Sequence, residues 1–311
     1  MHDKNISWFK LFKETISEFS NDNVVKLSAS LAYYTIFSVG PLLLVIISLT
    51  GLFFETENVT YQMYAQMRSL VGEEGAKQII SIIDNMRAQN IAAKYSIIGG
   101  VILAFGATGI FADIQDSINY IWSIRAKPKK GWLKFITNRL LSFSIIIGIG
   151  FLLIVSLLIN LLTDAMVGRL QKLFDTEMVI LFQALNIALL FTIITTLFAV
   201  IYKVLPDARI KWKDAFIGAG FTGMLFIIGK FLIGYYLGSS EMGNTYGAAA
   251  SVIIILSWVY YTSIILYFGA EFTKVYAINR GGGIKPYDTA VFIIKREAKE
   301  LPNATEMPPH I

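Results

Sequence analysis

The chain has 311 residues, 55% hydrophobic and only 16% charged, with a mean hydropathy of +0.59 and a formal net charge of +5. Soluble domains carry about a quarter charged residues, and the long uncharged runs here lack the polar faces that a soluble helix needs, so a soluble globular class is excluded. There is no cysteine and the only histidines are His2 and His310, which removes thiol chemistry, histidine-based metal sites and serine–histidine nucleophiles.

Residues 5–20, NISWFKLFKETISEFS, place Phe9, Phe12, Ile16 and Phe19 at helical spacing, with Lys10, Lys13, Glu14 and Glu18 around the other side. The pattern predicts an amphipathic helix, either on a membrane surface or packed against the ends of the spans. The first apolar run, about 28–54, starts too far into the chain and is too long for a cleaved signal peptide, which makes it span one. Within it, Gly40 and Pro41 predict a kink near Ser38, which Pro41→Ala would straighten. Ser28, Ala32, Thr35 and Ser38 form a stripe of small or hydroxylated side chains, with Tyr34 beside it. Such a stripe packs on neighbouring helices or lines a solute path.

The segment 55–94 is too long for a turn and predicts a small helical cap outside the membrane. Span two starts near Tyr95, followed by a turn at KPKKGW, and spans three and four cover about 139–163 and 178–202. Span five, about 214–237, is rich in glycine, and Gly234 and Gly238 form a small-residue pair for close helix contact. Span six, about 246–273, carries Glu271 near its end. The fold class is therefore an all-α integral membrane protein with six transmembrane helices, an N-terminal amphipathic interfacial helix and a small helical extracytoplasmic cap. Its units are a cytoplasmic segment 1–27, a membrane domain 28–276 and a mobile cytoplasmic tail 277–311.

Charge sets the orientation. Segments 1–27, 125–139, 203–213 and 274–311 together hold 20 Lys and Arg, against 6 in 55–94, 164–177 and 238–247. The positive-inside rule then places both termini in the cytoplasm. The basicity follows topology, so the expected partners are the lipid bilayer and a small solute or cation, with no nucleic acid; a homo-oligomer stays open.

The strings SASLAYYTIFSVGPLLLVI, FGATGIFADIQDSINYIWSIRAKPKKGW, GKFLIGYYLG and YGAAASVIIILSWVYYTSIILYFGAEFTKVYA occur in order along roughly residues 10–280. Together they resemble the YihY/BrkB family of bacterial inner-membrane proteins. The resemblance implies six spans with both termini inside. It implies no mechanism: members have carried a ribonuclease label and links to serum resistance or to salt and alkali tolerance. A metallonuclease finds no convergent histidines or cysteines here. The family pattern implies an uncharged polar residue at the position of Asp113, whereas Asp116 fits it.

Ionisable residues inside spans point to function because burying charge in hydrocarbon is costly. At about 1.5 Å per residue, Asp113 and Asp116 lie roughly 27–32 Å into span two, at its inner end. Glu271 reaches a similar depth, and Lys230 sits about 10 Å from the outer end of span five. Lys230 can snorkel, and Asp116 and Asn119 can pair with Arg125 or Lys127. The sharper expectation is an inner vestibule lined by Asp116, Asn119 and Glu271. A transporter of a small solute or ion, with its path between spans one, two, five and six, is expected ahead of an envelope protein that handles lipid or scaffolds partners. No enzyme activity and no cofactor are expected.

Overall fold

The computed structural model describes residues 6–37, 109–127, 176–239 and 250–295, with isolated positions between 64 and 84. Ser38, Gly40, Pro41, most of the 55–94 segment and the predicted third span lie outside the described residues.

Apart from the isolated helical positions between 64 and 84, six helices organise the described residues. Helix α1 runs Trp8–Asn21 and starts where the Ser7 hydroxyl accepts from the Lys10 N–H at 3.3 Å, which satisfies one orphan amide of the first turn. Asn23 takes a positive φ of 50°, a conformation Asn tolerates, and turns the chain into α2, Val24–Phe37. Helix α3 covers 109–121 and ends in a turn at Ser123, φ 57°. Helix α4 is Thr176–Val204, α5 is Trp212–Ser239 and α6 is Ala250–Asn279. Pro206 follows α4 and Asp214 sits in the first turn of α5, both as helix-end chemistry requires.

Among the described residues, three stretches are long and apolar enough to cross a bilayer: Ile187–Val204, Trp212–Tyr236 and Val252–Asn279. They pack through small residues. A Cβ at Gly218 would fall 1.9 Å from Thr273 Oγ1, and one at Gly269 would fall 1.9 Å from Thr222 Oγ1 and 2.5 Å from the Tyr202 hydroxyl. The α5–α6 and α4–α6 contacts thus run backbone to side chain, as in close membrane helix packing. Gly234, expected at such a contact, opens on free space.

Helix α1 lies along the last turns of α6. Leu11 is buried with Phe272, Val275 and Tyr276, while Phe12 and Phe19 meet Phe268 edge-on at 6.0 and 5.3 Å. Arg280 stacks over Trp8 at 4.6 Å and donates to the Ile6 carbonyl. The predicted apolar stripe divides: Phe12 and Phe19 pack on α6, while Phe9 is 81% exposed and Ile16 50%. The inward face is Leu11, Thr15 and the acidic groups Glu14, Glu18 and Asp22.

The all-helical expectation needs one amendment. Strand β1, Ile124–Ala126, pairs antiparallel with β4, Ala290–Phe292, and β2, Ala208–Arg209, pairs with β3, Lys285–Pro286. Residues 285–295, expected within a mobile tail, form a strap that ties the loop after α3 to the loop after α4. The physical reason lies in the backbone: strand pairing satisfies amides in loops that leave the helices, and Lys127, Tyr287 and Ile293 N–H groups extend it with further bonds. The turn into the strap is fixed by Asp214, which accepts from the Gly282 N–H at 2.8 Å and leaves no room for a side chain at Gly281.

Candidate functional site

The ends of α1, α3 and α6 meet around one lysine. Glu271 on α6 is fully buried, and Lys274 lies one turn on with its ammonium 2.8 Å from Glu271 Oε2. The same Nζ is 2.8 Å from Glu18 Oε2, 3.5 Å from Asp22 Oδ2 and 3.0 Å from the Ile121 carbonyl. Ile121 is the last residue of α3, so its carbonyl has no helical partner and sits at the negative end of the helix dipole. Lys295, from the strap, reaches Asp22 Oδ2 at 2.5 Å and lies 4.5 Å over the Tyr120 ring. Burial pushes the Lys295 ammonium below the usual lysine range, against the opposing hydrogen bond to Asp22.

Three carboxylates therefore share two ammonium groups, leaving one negative charge in excess when all are ionised. Among the described residues, Glu18, Asp22 and Glu271 are the carboxylates close enough to hold a metal ion, their oxygens within 4.8 Å of one another. The Lys274 ammonium already contacts all three, so the cluster fits an internal cation better than a metal.

A second polar group lies deeper. The Ser30 hydroxyl on α2 donates to Asp113 Oδ1 on α3 at 2.9 Å. Asp113 Oδ2 is buried without a hydrogen-bond partner, and so is the Tyr267 hydroxyl on α6, which approaches Asp113 and Ser117. Glu271 Oε2 is paired with the Lys274 ammonium, and Oε1 is buried without a hydrogen-bond partner. Tyr267 stands one turn before Glu271, so these groups line the same stretch of α6.

The expected vestibule trio divides. Glu271 joins the lysine cluster. Asn119 is buried and clasps Asp207 at two points, its Nδ2 donating to Oδ2 and its Oδ1 accepting from the Asp207 N–H, both at 2.8 Å. This holds α3 to the loop after α4, in place of the expected Arg125 or Lys127. Asp116, one turn before, is exposed. Trp122 completes the joint by donating its indole N–H to the Ala270 carbonyl at 3.1 Å. In α2, Ser28 is buried and returns its hydroxyl to the Val24 carbonyl at 2.9 Å, and Thr35 does the same to Leu31 at 2.8 Å. Tyr34 is largely exposed, edge-on to Tyr33. Lys230 is half-buried beside the Phe231 ring.

Sequence reasoning missed Ser30, Tyr267, Lys274 and Asp22. Two signals were present. Lys274 follows Glu271 by three residues, and Glu18 and Asp22 are four apart, spacings that place each pair on one helix face. Nothing in the sequence marked the Ser30–Asp113 contact across 83 residues.

The family described as Virulence factor BrkB matches residues 15–290. A UPF0761 membrane protein of Tolumonas auensis is 30% identical over 258 residues, 81% of this chain and 80% of that one. Another, from Pseudomonas paraeruginosa, is 28% identical over 260 residues, and there the chain spans only 59% of the relative's length. A UPF0761 membrane protein of Vibrio vulnificus is 22% identical over 295 residues, 94% of this chain and 89% of that one. No solved structure matches.

Proposed function

This chain belongs to the Virulence factor BrkB family, and we propose that within that membrane-protein family it moves a small solute or ion across the bacterial cytoplasmic membrane. The path lies between α2, α3 and α6, with α5 behind it, and both termini are cytoplasmic. The chain is multi-pass with six spans, and α1 lies in the inner interface with Phe9 and Ile16 toward lipid. The reading assigns it no catalytic chemistry.

One observation carries the proposal: Asp113 Oδ2, the Tyr267 hydroxyl and Glu271 Oε1 are buried without hydrogen bonds along neighbouring helices. Each such group costs several kcal/mol in hydrocarbon, an expense that a scaffold has no reason to carry and a polar path does. The Lys274 cluster then acts as the inner gate. Its ammonium joins α1, α3 and α6 through one point, and separating those helices breaks its contacts to Glu18, Asp22 and the Ile121 carbonyl at once. The orientation is supported by the lysine and arginine asymmetry of the loops.

The test is flux in proteoliposomes against a panel of monovalent cations, amino acids and organic cations. The wild-type chain is expected to pass at least one, and Asp113→Asn and Glu271→Gln to reduce that flux by tenfold or more at unchanged yield. A folded wild-type chain that passes none of the panel, or mutants with undiminished flux, would sink the reading.

A further inference from the structure

A groove of about 430 Å³ opens on the flank of the bundle, between the α1–α2 corner and α6. Its lining is graded. Asn23 and Lys26 stand at the corner, Val25 and Ala29 continue up α2, and Phe19 and Tyr260 form the wall. Phe19 packs on Phe268, and Tyr260 is eight residues from Phe268 along α6, so the apolar part rises about 12 Å from the corner. Val25, at the rim, is 48% exposed.

The electrostatics of the corner are one-sided. Lys26 is the only charged residue of the lining. Glu18 and Asp22, close by in the chain, are held by Lys274 and Lys295. No carboxylate of the described residues pairs with the Lys26 ammonium, which stays exposed. A polar, cationic mouth thus leads into an apolar trough that faces sideways.

We propose that this groove binds one anionic phospholipid, its phosphate at Lys26 and Asn23 and the start of one acyl chain along Val25, Ala29 and Tyr260. A free anion would leave the apolar trough unused, and a zwitterionic lipid would set its own cation against Lys26. The volume lies within the range of small-molecule sites, about 300–1,000 Å³, and suits a glycerophosphate with the first part of a chain; the remainder stays in the bilayer. Anionic lipids of the cytoplasmic leaflet meet the corner if α1 lies inside, so the choice of leaflet rests on the proposed orientation, while the binding itself rests on neither orientation nor transport. The headgroup would brace the same turn that presents Asp22 to Lys274, one residue away.

The experiment is native mass spectrometry of the full chain in detergent, titrated with phosphatidylglycerol or with phosphatidylcholine of identical chains. Phosphatidylglycerol is expected to bind about fivefold more tightly. Lys26→Gln should erase that preference, and Ala29→Trp, which fills the trough, should weaken both lipids. Val25→Trp blocks the same groove from a half-exposed position should Ala29→Trp fail to fold. Lys13→Gln, on an exposed part of α1 away from the lining, should leave the preference intact. Equal binding of the two lipids by the wild-type chain would overturn the proposal. So would a preference that survives Lys26→Gln, undiminished binding in the folded blocking variants, or a loss in Lys13→Gln as large as in Lys26→Gln, which would mean diffuse attraction to a basic surface. Because binding in detergent involves no flux and no sidedness, failure here leaves the transport reading standing, and failure of flux leaves this one.

Discussion

Lys274 is the residue on which the inner end of the bundle depends. Its ammonium is almost entirely buried and its charge is balanced by Glu271, Glu18 and Asp22. Removing one member of a buried ion pair strands the other, at a cost of about 3–5 kcal/mol, whereas replacing both by apolar groups is often neutral or stabilising. Lys274→Met should therefore lower the melting temperature in detergent sharply, and Lys274→Met with Glu271→Leu should recover much of it. If the double variant melts no higher than the single one, the stranded charge is not the cause. Asn119 makes a different kind of contact. Asn119→Ala removes both hydrogen bonds to Asp207, and a loss of about 1–3 kcal/mol is expected. Equal stability of Asn119→Ala and wild type would show the clasp to be dispensable.

At the scale of elements, α5 packs on α6 through glycines. Gly218→Val should destabilise by about 1–3 kcal/mol or more, because its Cβ would overlap Thr273. Gly220→Ala, which meets nothing within 4 Å, serves as the control. Gly218→Ala should be partly rescued by Thr273→Ala, and no rescue would mean that the strain lies elsewhere. Helices α4 to α6 were legible because their apolar runs have no soluble alternative. Helix α1 was legible as a helix, and half of its apolar stripe, Phe12 and Phe19, packs on α6. Periodicity marks Phe9, Phe12, Ile16 and Phe19 as one face and does not show that Phe9 and Ile16 stay exposed while Glu14, Glu18 and Asp22 face the protein. The strap was not legible at all. Strands of two or three residues carry no alternation to read, and Pro286 within β3 argues locally against one. In the candidate site, charged positions such as Asp113 and Glu271 announced themselves by their cost, while their partners Ser30, Tyr267 and Lys274 depended on helix rotation and long-range contact.

For the whole molecule, sidedness and the polar path are the two claims. Cysteines placed at Lys77 and at Lys285, both on the native cysteine-free background, should label differently with a membrane-impermeant reagent in intact cells. Position 77 should react and position 285 should not; the reverse would invert the orientation. The central claim is that water or a polar solute reaches the groups between α2, α3 and α6. The same background allows it to be measured directly, by the reaction rate of single cysteines with a small water-soluble methanethiosulfonate reagent. Ser30→Cys, Asp113→Cys and Tyr267→Cys should react at rates well above that of Ile254→Cys, which is buried in the apolar contact with Ile233 and Trp258. If all three react as slowly as Ile254→Cys in folded protein, the interior there is dry and the path does not exist.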